Sequence, residues 1–501
     1  LESVDNVIEM YYMNFIQLQN QINSLNSDLA NATSCQLAPY AYCAGVDLSG
    51  MNLSGMNLTG IDLRGANLQN ATFDYATLDG ADLHSIVAMN ATFILTGMNN
   101  THLQNAEFNR YSTNECGGFC GAANLNNAYL SSADLTDAYL QDVDLTDANL
   151  WQADLTHADL GYANLTDANL WRADLTHADL YVADLTEAYL WQADLPNAFL
   201  QYANLTDANL RDADLTNADL QDADLTNADL RDADLTDANL WQADLPNADL
   251  QDADLTDANL RSADLTDANL ESADLTNAYL NNANLTNADL ESADLTNAYL
   301  NDANLTNANL RYTDLVYAYL RDADLTDADL RDADLTNADL YDANLTNAYL
   351  RDADLTNAYL IYADLTNADL RDADLTNADL QFADLSDADL LRADLTNADL
   401  QGANLTNADL RSADLIDAVL YSANLINADL YSADLTNANL RYANLTNADL
   451  RYADLIDADL FATILTNANL EDATVTNADF SYSLWSNTIW TDGVAYDTNQ
   501  A

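Results

Sequence analysis

Residues 213–217 read Ala-Asp-Leu-Thr-Asn and are one unit of a tandem repeat that decides the fold. From Leu125 to Leu470 every fifth residue is leucine, at seventy consecutive positions. Most of these leucines follow an alanine two residues earlier and an Asp or Asn one residue earlier. A period of five matches neither a 3.6-residue helix nor a two-residue strand. We therefore expect the chain to turn a corner every five residues.

Each unit predicts a very short strand followed by a corner. The alanine and the leucine are two residues apart, so both can point inward while the Asp or Asn between them points outward. The two residues after the leucine form the corner. In the first units the second corner residue is glycine, and later it is mostly Asn or Asp, the residues that best tolerate a positive φ. These early glycines are Gly50, Gly55, Gly60 and Gly65.

A second period of twenty residues indicates four corners per coil. The residues before the leucine at 134, 154 and onward in steps of twenty to 454 are Asp seventeen times in a row. The alternate set, which starts at 124, mixes Asp with Asn. Eight arginines share one phase, and three more lie half a coil away. The eight are Arg211, Arg231, Arg311, Arg331, Arg351, Arg371, Arg411 and Arg451, and the three are Arg261, Arg321 and Arg441.

These units resemble the pentapeptide repeat family over residues 46–110 and 123–480. The resemblance implies an all-β, right-handed quadrilateral β-helix of about 20 residues per coil, and hence a single elongated domain on the order of 100 Å long at about 4.8 Å per coil. The expected order is a helix over 1–30, a Cys-containing linker over 31–45, coils over 46–110, a Cys-containing insertion over 111–122, coils over 123–480 and a C-terminal cap over 481–501.

The N-terminal segment predicts an amphipathic α-helix with a narrow apolar seam at alternating spacings of four and three residues. Such a seam fits a helix that caps the first coil, or a coiled coil with a neighbouring subunit; both readings stay open. The seam residues are Val4, Ile8, Tyr11, Phe15, Leu18, Ile22, Leu25 and Leu29. We take this helix as the assembly element of a homo-oligomer.

The chain is extremely acidic, with a formal charge of -67, and its 15 basic residues are all arginine. The aspartates either satisfy hydrogen bonds near the corners or form ladders that gather Ca²⁺. No loop offers six convergent oxygens, so we expect no cofactor and no specific metal site, but at most non-specific Ca²⁺ along the ladders. We find no membrane-spanning run and expect no membrane insertion.

Cysteines and sequons favour a secreted protein. Cys35, Cys43, Cys116 and Cys120 lie outside the regular repeat, and two disulfides that pair neighbours are favoured over a zinc site, because no histidine is near. A start at Leu1 without Met fits a processed form. Thirteen Asn-x-Ser/Thr sequons are candidate N-glycosylation sites, although Thr after the leucine creates a sequon wherever Asn precedes it. They are Asn31, Asn52, Asn57, Asn70, Asn90, Asn99, Asn164, Asn204, Asn284, Asn304, Asn344, Asn404 and Asn444.

Tryptophan and histidine each recur at twenty-residue intervals. Trp151, Trp171 and Trp191 should form an outward contact ladder, either for a ligand or to stiffen the coils. His157 and His177 should be neighbours on one corner, but two ligands are too few for a metal site. No catalytic constellation stands out from the repeat, and we expect no enzyme activity.

Three functions remain. The first is an extracellular, glycosylated structural rod that assembles head-to-tail into a filament or surface layer. It would use the N-terminal helix and the last coils, where Val475, Phe480, Trp485 and Trp490 replace leucine. The second follows from the resemblance, because some similar proteins are acidic rods that occupy the DNA-binding saddle of type II topoisomerases. The third is a surface adhesin or carbohydrate binder. None requires nucleic acid as a partner.

Overall fold

A computed structural model describes residues 35–108 and 122–497 in two compact units, Leu1–Ala238 and Asn239–Ala501. Within each unit the chain forms four-sided coils of twenty residues. The residue before each central leucine makes a parallel β-bridge with its counterpart one coil later, as Asp62 does with Asp82 and Asp334 with Asp354. The expected β-helix is confirmed in both units. The predicted N-terminal helix lies outside the described residues.

One repeat of the second unit, residues 363–367, shows why the pattern holds. The N–H groups of its second, third and fifth residues donate to carbonyl groups of the neighbouring coils at 2.9, 2.7 and 3.0 Å, and that of its first residue donates to Leu360 across the corner at 3.1 Å. The remaining N–H, that of Thr366, donates to Oδ1 of Asp364 at 2.9 Å. All five N–H groups are satisfied, and the Asp or Asn is the side chain that completes the set.

The corner requires a positive φ at its second residue. Asn367 has φ 59°, and the equivalent residues have similar values in the other coils. At one corner this residue is Gly402, with φ 70°. A Cβ on Gly402 would lie only 2.7 Å from the ring of Phe382, so this corner requires glycine for a second reason. Some corners hold residues that do not favour this conformation, among them Val182 at φ 57°.

The core is a stack of inward leucines and alanines. Leu365 and Ala363 are fully buried, as are their counterparts through both units. Val143, Thr313 and Thr463 replace the inward alanine and are buried as well. The two threonine hydroxyls donate to the carbonyls of Leu290 and Leu440, at 3.0 and 2.8 Å. The polar atom is thereby satisfied inside the core.

The first unit contains one interruption of the register. Thr92 bridges to Asn124, and Phe93 donates to the Asn124 carbonyl at 2.8 Å. The separation from 92 to 124 is 32 residues, twelve more than the usual twenty. The bridge and the hydrogen bond show that the coils on both sides of the interruption still stack. Cys116 and Cys120 lie in the part outside the described residues.

The second unit ends in a short hairpin. Strands β1 (Thr488–Ile489) and β2 (Ala495–Tyr496) pair antiparallel, and Ile489 also bridges in parallel to Asn469 of the preceding coil. The aromatic residues that replace leucine in the last coils lie next to this hairpin. The rings of Phe480, Trp485 and Trp490 lie 4.9 to 5.9 Å apart.

Candidate functional site

The coils present four faces, which we name by the Asp/Asn position of each repeat. Face 1 contains positions 124, 144 and onward in steps of twenty; faces 2, 3 and 4 start at 129, 134 and 139. Upstream of the interruption, β-bridges place Asp62, Asp82 and His102 on face 3. From residue 122 on, no arginine follows the leucines of faces 1 and 3. The arginines that follow the leucines lie on faces 2 and 4.

Face 3 of the second unit carries an unbroken row of eleven aspartates, from 254 to 454 in steps of twenty. Oδ1 of Asp354 accepts the N–H of Thr356 at 2.9 Å, and Asp334 and Asp374 accept from Thr336 and Thr376 at the same distance. Adjacent carboxylates are therefore held about one coil spacing apart, roughly 4.8 Å. The row combines a local hydrogen-bonding role with like-charge repulsion.

Asp194 of the first unit shows what happens when the local partner is missing. Its repeat has Pro196 where the N–H donor stands elsewhere. Desolvation raises the pKa of the Asp194 carboxyl, and the neighbouring Asp174 and Asp214 raise it further. The pKa of this carboxyl is thus raised in a repeat that lacks the local N–H donor.

Asparagine on face 1 separates the carboxylates and joins the coils. Nδ2 of Asn344 donates to Oδ1 of Asp324 at 3.2 Å and to the hydroxyl of Thr326 at 2.8 Å. Its own Oδ1 accepts both the N–H and the hydroxyl of Thr346, at 3.1 and 2.7 Å. Asn therefore does everything that Asp does at this position and adds a bond to the preceding coil. The same bond should favour Asn on face 3 as well, yet face 3 has no Asn. The bond therefore explains only in part why Asn occurs on face 1 and not on face 3.

The same amides divide the sequons into two groups. One group has Nδ2 atoms that donate to the preceding coil, which competes with attachment of a glycan at that atom: Asn99, Asn204, Asn284, Asn304, Asn344 and Asn404. The other group is exposed: Asn52, Asn57, Asn70 and Asn164. Asn90 and Asn444 are half-buried, and Asn31 lies outside the described residues. Glycosylation stays a prediction.

Arginines on faces 2 and 4 join carboxylates of different coils. The Arg371 guanidinium contacts Asp369 of its own coil and Asp389 of the next, the latter at 3.3 Å. Hydrogen bonds from Arg231 lower the pKa of Asp229 despite its partial desolvation. These arginines neutralise and link the acidic rows on two faces, while from residue 122 on faces 1 and 3 keep theirs without arginine.

The tryptophans predicted as a contact ladder lie against one another. The rings of Trp171 and Trp191 are stacked 5.3 Å apart at 10°, and Trp151 lies 5.9 Å from Trp171 at 37°. All three are half-buried, and Nε1 of Trp191 donates to Asp212 at 2.6 Å. Because the ring faces are turned towards each other, the ladder offers mainly ring edges to a ligand.

The remaining sequence candidates are separate from each other. His157 and His177 stack at 4.9 Å, exposed on a corner of the first unit. Cys35 and Cys43 form a disulfide at the start of the described chain, with their Cα atoms 5.0 Å apart. Within residues 35–108 and 122–497, no group of three or more His, Cys, Asp or Glu side chains is arranged to hold a metal ion. In those same ranges no helix is long and apolar enough to span a membrane.

A depression on face 3 of the first unit was not predicted from the sequence. It has a volume of about 580 Å³ and is lined by Arg64, Asp82, His84, His102, Gln104, Asn105, Thr136 and Asp137. A signal was present in the sequence, because the Asp-Leu-Thr pattern of face 3 is replaced here by Asp-Leu-Arg, Asp-Leu-His and His-Leu-Gln.

Comparison with known proteins identifies the repeat. The profile of the Pentapeptide repeats family matches residues 47–84 and overlapping or adjoining segments across most of 123–483. HetL, a pentapeptide repeat protein involved in heterocyst differentiation in Nostoc sp. strain PCC 7120, is 38% identical over 43% of this chain and 92% of its own, with a TM-score of 0.27. QnrB1, a plasmid-mediated fluoroquinolone resistance protein, is 18% identical over 40% and 92%, with a TM-score of 0.23. No protein with a curated description gives a significant match.

Proposed function

Because the chain belongs to the pentapeptide repeat family, whose fold is a right-handed quadrilateral β-helix, we propose that it is a non-catalytic extracellular structural protein whose copies join end to end into a filament or surface layer. The observation that supports this is the use of its side chains. On faces 1, 2 and 4 and at the corners, many side chains are bonded to or stacked on residues one coil away. Such rows stiffen a solenoid, in which each coil contacts only its neighbours.

Three rows of the second unit illustrate the point. Asn427, Asn447 and Asn467 form an amide ladder in which each Nδ2 donates to the Oδ1 of the preceding coil at 2.9 Å. Tyrosine rings at 279, 299 and 319 stack at 5.0 and 4.8 Å. Arg411 contacts Asp409 and, one coil later, Asp429, at 2.5 and 3.8 Å. Each row adds to the three backbone bonds that every repeat makes between coils.

Two further features support a secreted, assembling protein. The Cys35–Cys43 disulfide is stable in oxidising compartments. The last coils expose apolar side chains, with Leu484 60% and Val494 49% accessible. An end-to-end contact would bury this surface, as heterologous contacts that do not close give fibres.

Electron microscopy of the secreted protein, with and without Ca²⁺, tests the proposal. We expect fibres, and we expect the double substitution Leu484→Ser with Val494→Ser to shorten or abolish them. Tyr312→Ser with Tyr362→Ser is the matched control, because these tyrosines are about half exposed on the sides of the coils. Isolated particles under all conditions would remove the structural proposal.

Mimicry of DNA is the second candidate, and the aspartate row of face 3 favours it. Regularly spaced negative charges on an arginine-free face resemble the phosphate rows that DNA-binding proteins recognise. Binding to a type II topoisomerase should then fall steeply with salt. It should also weaken when Asp294, Asp314 and Asp334 are changed to Asn, but little when the arginine-paired Asp329, Asp369 and Asp409 are. Equal effects of the two triple variants would contradict recognition through face 3.

A further inference from the structure

The depression on face 3 of the first unit lies where the repeat changes. Two rows of side chains line it, one at the Asp position and one just after the leucine. Downstream these rows are Asp and mostly Thr, whereas here they hold Asp82 and His102 in one row, and Arg64, His84 and Gln104 in the other. Small corner residues, Gly65 and Ser85, leave the side open. Long side chains around short ones produce the concavity.

Part of its lining is already bonded within the protein. Arg64 donates to Asp62 at 3.0 and 2.8 Å and also contacts Asp82 at 3.3 Å. Nε2 of Gln104 donates to Asp134, and the hydroxyl of Thr136 donates to the same carboxylate at 2.8 Å. These bonds hold part of the lining in place, as a pre-formed binding site requires.

Four other side chains of the lining have unused hydrogen-bonding capacity. The imidazoles of His84 and His102 have no hydrogen-bond partner in the described part of the chain, and the same holds for the side chains of Asn105 and Asp137. His84 is half-buried and His102 is exposed. Neutral imidazole and amide groups each both donate and accept, and the carboxylate accepts. Together they offer donors and acceptors around one depression.

Charge selects among ligand classes. The lining carries one guanidinium, that of Arg64, and two carboxylates, those of Asp82 and Asp137, and Asp62 and Asp134 lie next to it. The field of a chain with net charge -67 adds to this. An anionic ligand is repelled, and a simple cation has aspartates to bind everywhere else on the surface. A neutral ligand rich in hydroxyl groups matches both the charge and the mixed donors and acceptors.

We propose that this depression binds a neutral saccharide of one or two pyranose units through His84, His102, Asn105 and Asp137. Its volume of about 580 Å³ lies within the usual range of small-ligand sites, about 300–1,000 Å³. The site is independent of the filament proposal, because it lies on the side of a coil. It also differs from the tryptophan ladder, whose ring faces are covered.

The chain contains its own control for a test by NMR. Of its four histidines, two line the depression and two, His157 and His177, form the exposed stack elsewhere in the same unit. Imidazole proton signals, assigned with single His→Gln variants, are followed during titration with cellobiose, chitobiose, maltose and methyl mannoside. We expect saturable shifts of the His84 and His102 signals with at least one sugar, and none for the other two.

Variants then separate binding from structure. Asn105→Ala or Asp137→Ala should weaken binding about tenfold, the loss of one or two hydrogen bonds, while coil stability and the control signals stay unchanged. Absence of any shift at tens of millimolar of all four sugars would overturn the proposal. So would equal shifts of all four histidines, or a stronger response to glucuronate or Zn²⁺ than to the neutral sugars.

Discussion

Exchange of Asp and Asn on opposite faces of a single coil should change its stability in opposite directions. Asp354 lies on face 3 between Asp334 and Asp374, and Asn344 lies on face 1 between Asp324 and Asp364. We expect Asp354→Asn to stabilise the second unit and Asn344→Asp to destabilise it. Both replacements keep side-chain size and the Oδ1 atom that accepts the local N–H.

The repulsive part of the effect follows from the coil spacing. Two unit charges about 4.8 Å apart repel by about 0.9 kcal/mol in water, so Asp354 with its two neighbours contributes about 1.7 kcal/mol. A Debye length of about 10 Å at 0.1 M salt reduces this to about 1.1 kcal/mol, and about 3 Å at 1 M reduces it to about 0.3 kcal/mol. The new amide can also donate to Asp334, for about 0.5–1.5 kcal/mol. The total gain is about 2 kcal/mol at low salt.

The reverse change loses more. Asn344→Asp creates two like-charge pairs, at about 1.1 kcal/mol in 0.1 M salt. It also removes the donated bonds to Asp324 and Thr326, worth about 0.5–1.5 kcal/mol each. The expected loss is about 2–4 kcal/mol, of which only the electrostatic part is recovered in 1 M salt.

Hydrogen exchange measured by mass spectrometry on peptides within residues 341–368 reports the local stability of this coil. Urea unfolding, which adds no charge, reports the global effect. Slower exchange in Asp354→Asn and faster exchange in Asn344→Asp, with the difference shrinking in salt, are the expected results. If both variants exchange like the parent chain, or if Asp354→Asn exchanges faster, neighbouring carboxylates do not repel as the spacing requires and the electrostatic reasoning fails.

Three further changes test other parts of the fold. Leu365→Ala should cost about 3–5 kcal/mol, measured by urea unfolding, because the fully buried site is bonded to coils on both sides and cannot collapse; a cost below about 1 kcal/mol would show a loose core. Val182→Asn should stabilise by about 1 kcal/mol, since a β-branched residue at φ 57° is strained; a lower melting temperature would contradict this. Melting temperature should rise as pH falls from 7 towards about 4, because desolvation, with Asp179, raises the pKa of carboxyls such as Asp159. The melting temperature should drop at still lower pH, where carboxyls with a lowered pKa take up protons. Asp229 is one of these, because hydrogen bonds from Arg231 lower its pKa. A steady decline in melting temperature from neutral pH would contradict the raised pKa of carboxyls such as Asp159.

The coil could be predicted from the sequence because its causes are local. An inward Leu and Ala at fixed spacing, and a corner residue that tolerates positive φ, are each visible within five residues. Corners with unsuitable residues, such as Val182, could not be predicted, because the hydrogen bond of its N–H to Gln201 one coil later, at 2.9 Å, overrides local preference. The role of Asn on face 1 was missed for the same reason, since its partner is twenty residues away.

The depression around His84 and His102 shows a different limit. These histidines show no catalytic or metal-binding spacing along the chain, since 18 residues separate them. A period of twenty places them on adjacent coils and neighbouring rows, so they come close only once the coil is built. In a solenoid, residues should be compared with their counterparts one coil away before motifs are sought.

The aspartates of face 3 can be tested against two roles, stabilisation of the coils and recognition of another molecule. Hydrogen bonding to the corner does not require Asp there, because Asn344 makes the same local bonds on face 1 and adds one to the preceding coil. Steric fit does not require it either, as the two residues are nearly isosteric. By the estimate above, each Asp in the middle of the row costs the unit about 1–2 kcal/mol relative to Asn. Local choices that oppose stability point to a function of the group itself, and we therefore propose that the charge of face 3 serves an interaction outside the coil, with cations, with an assembly partner or with a DNA-binding protein.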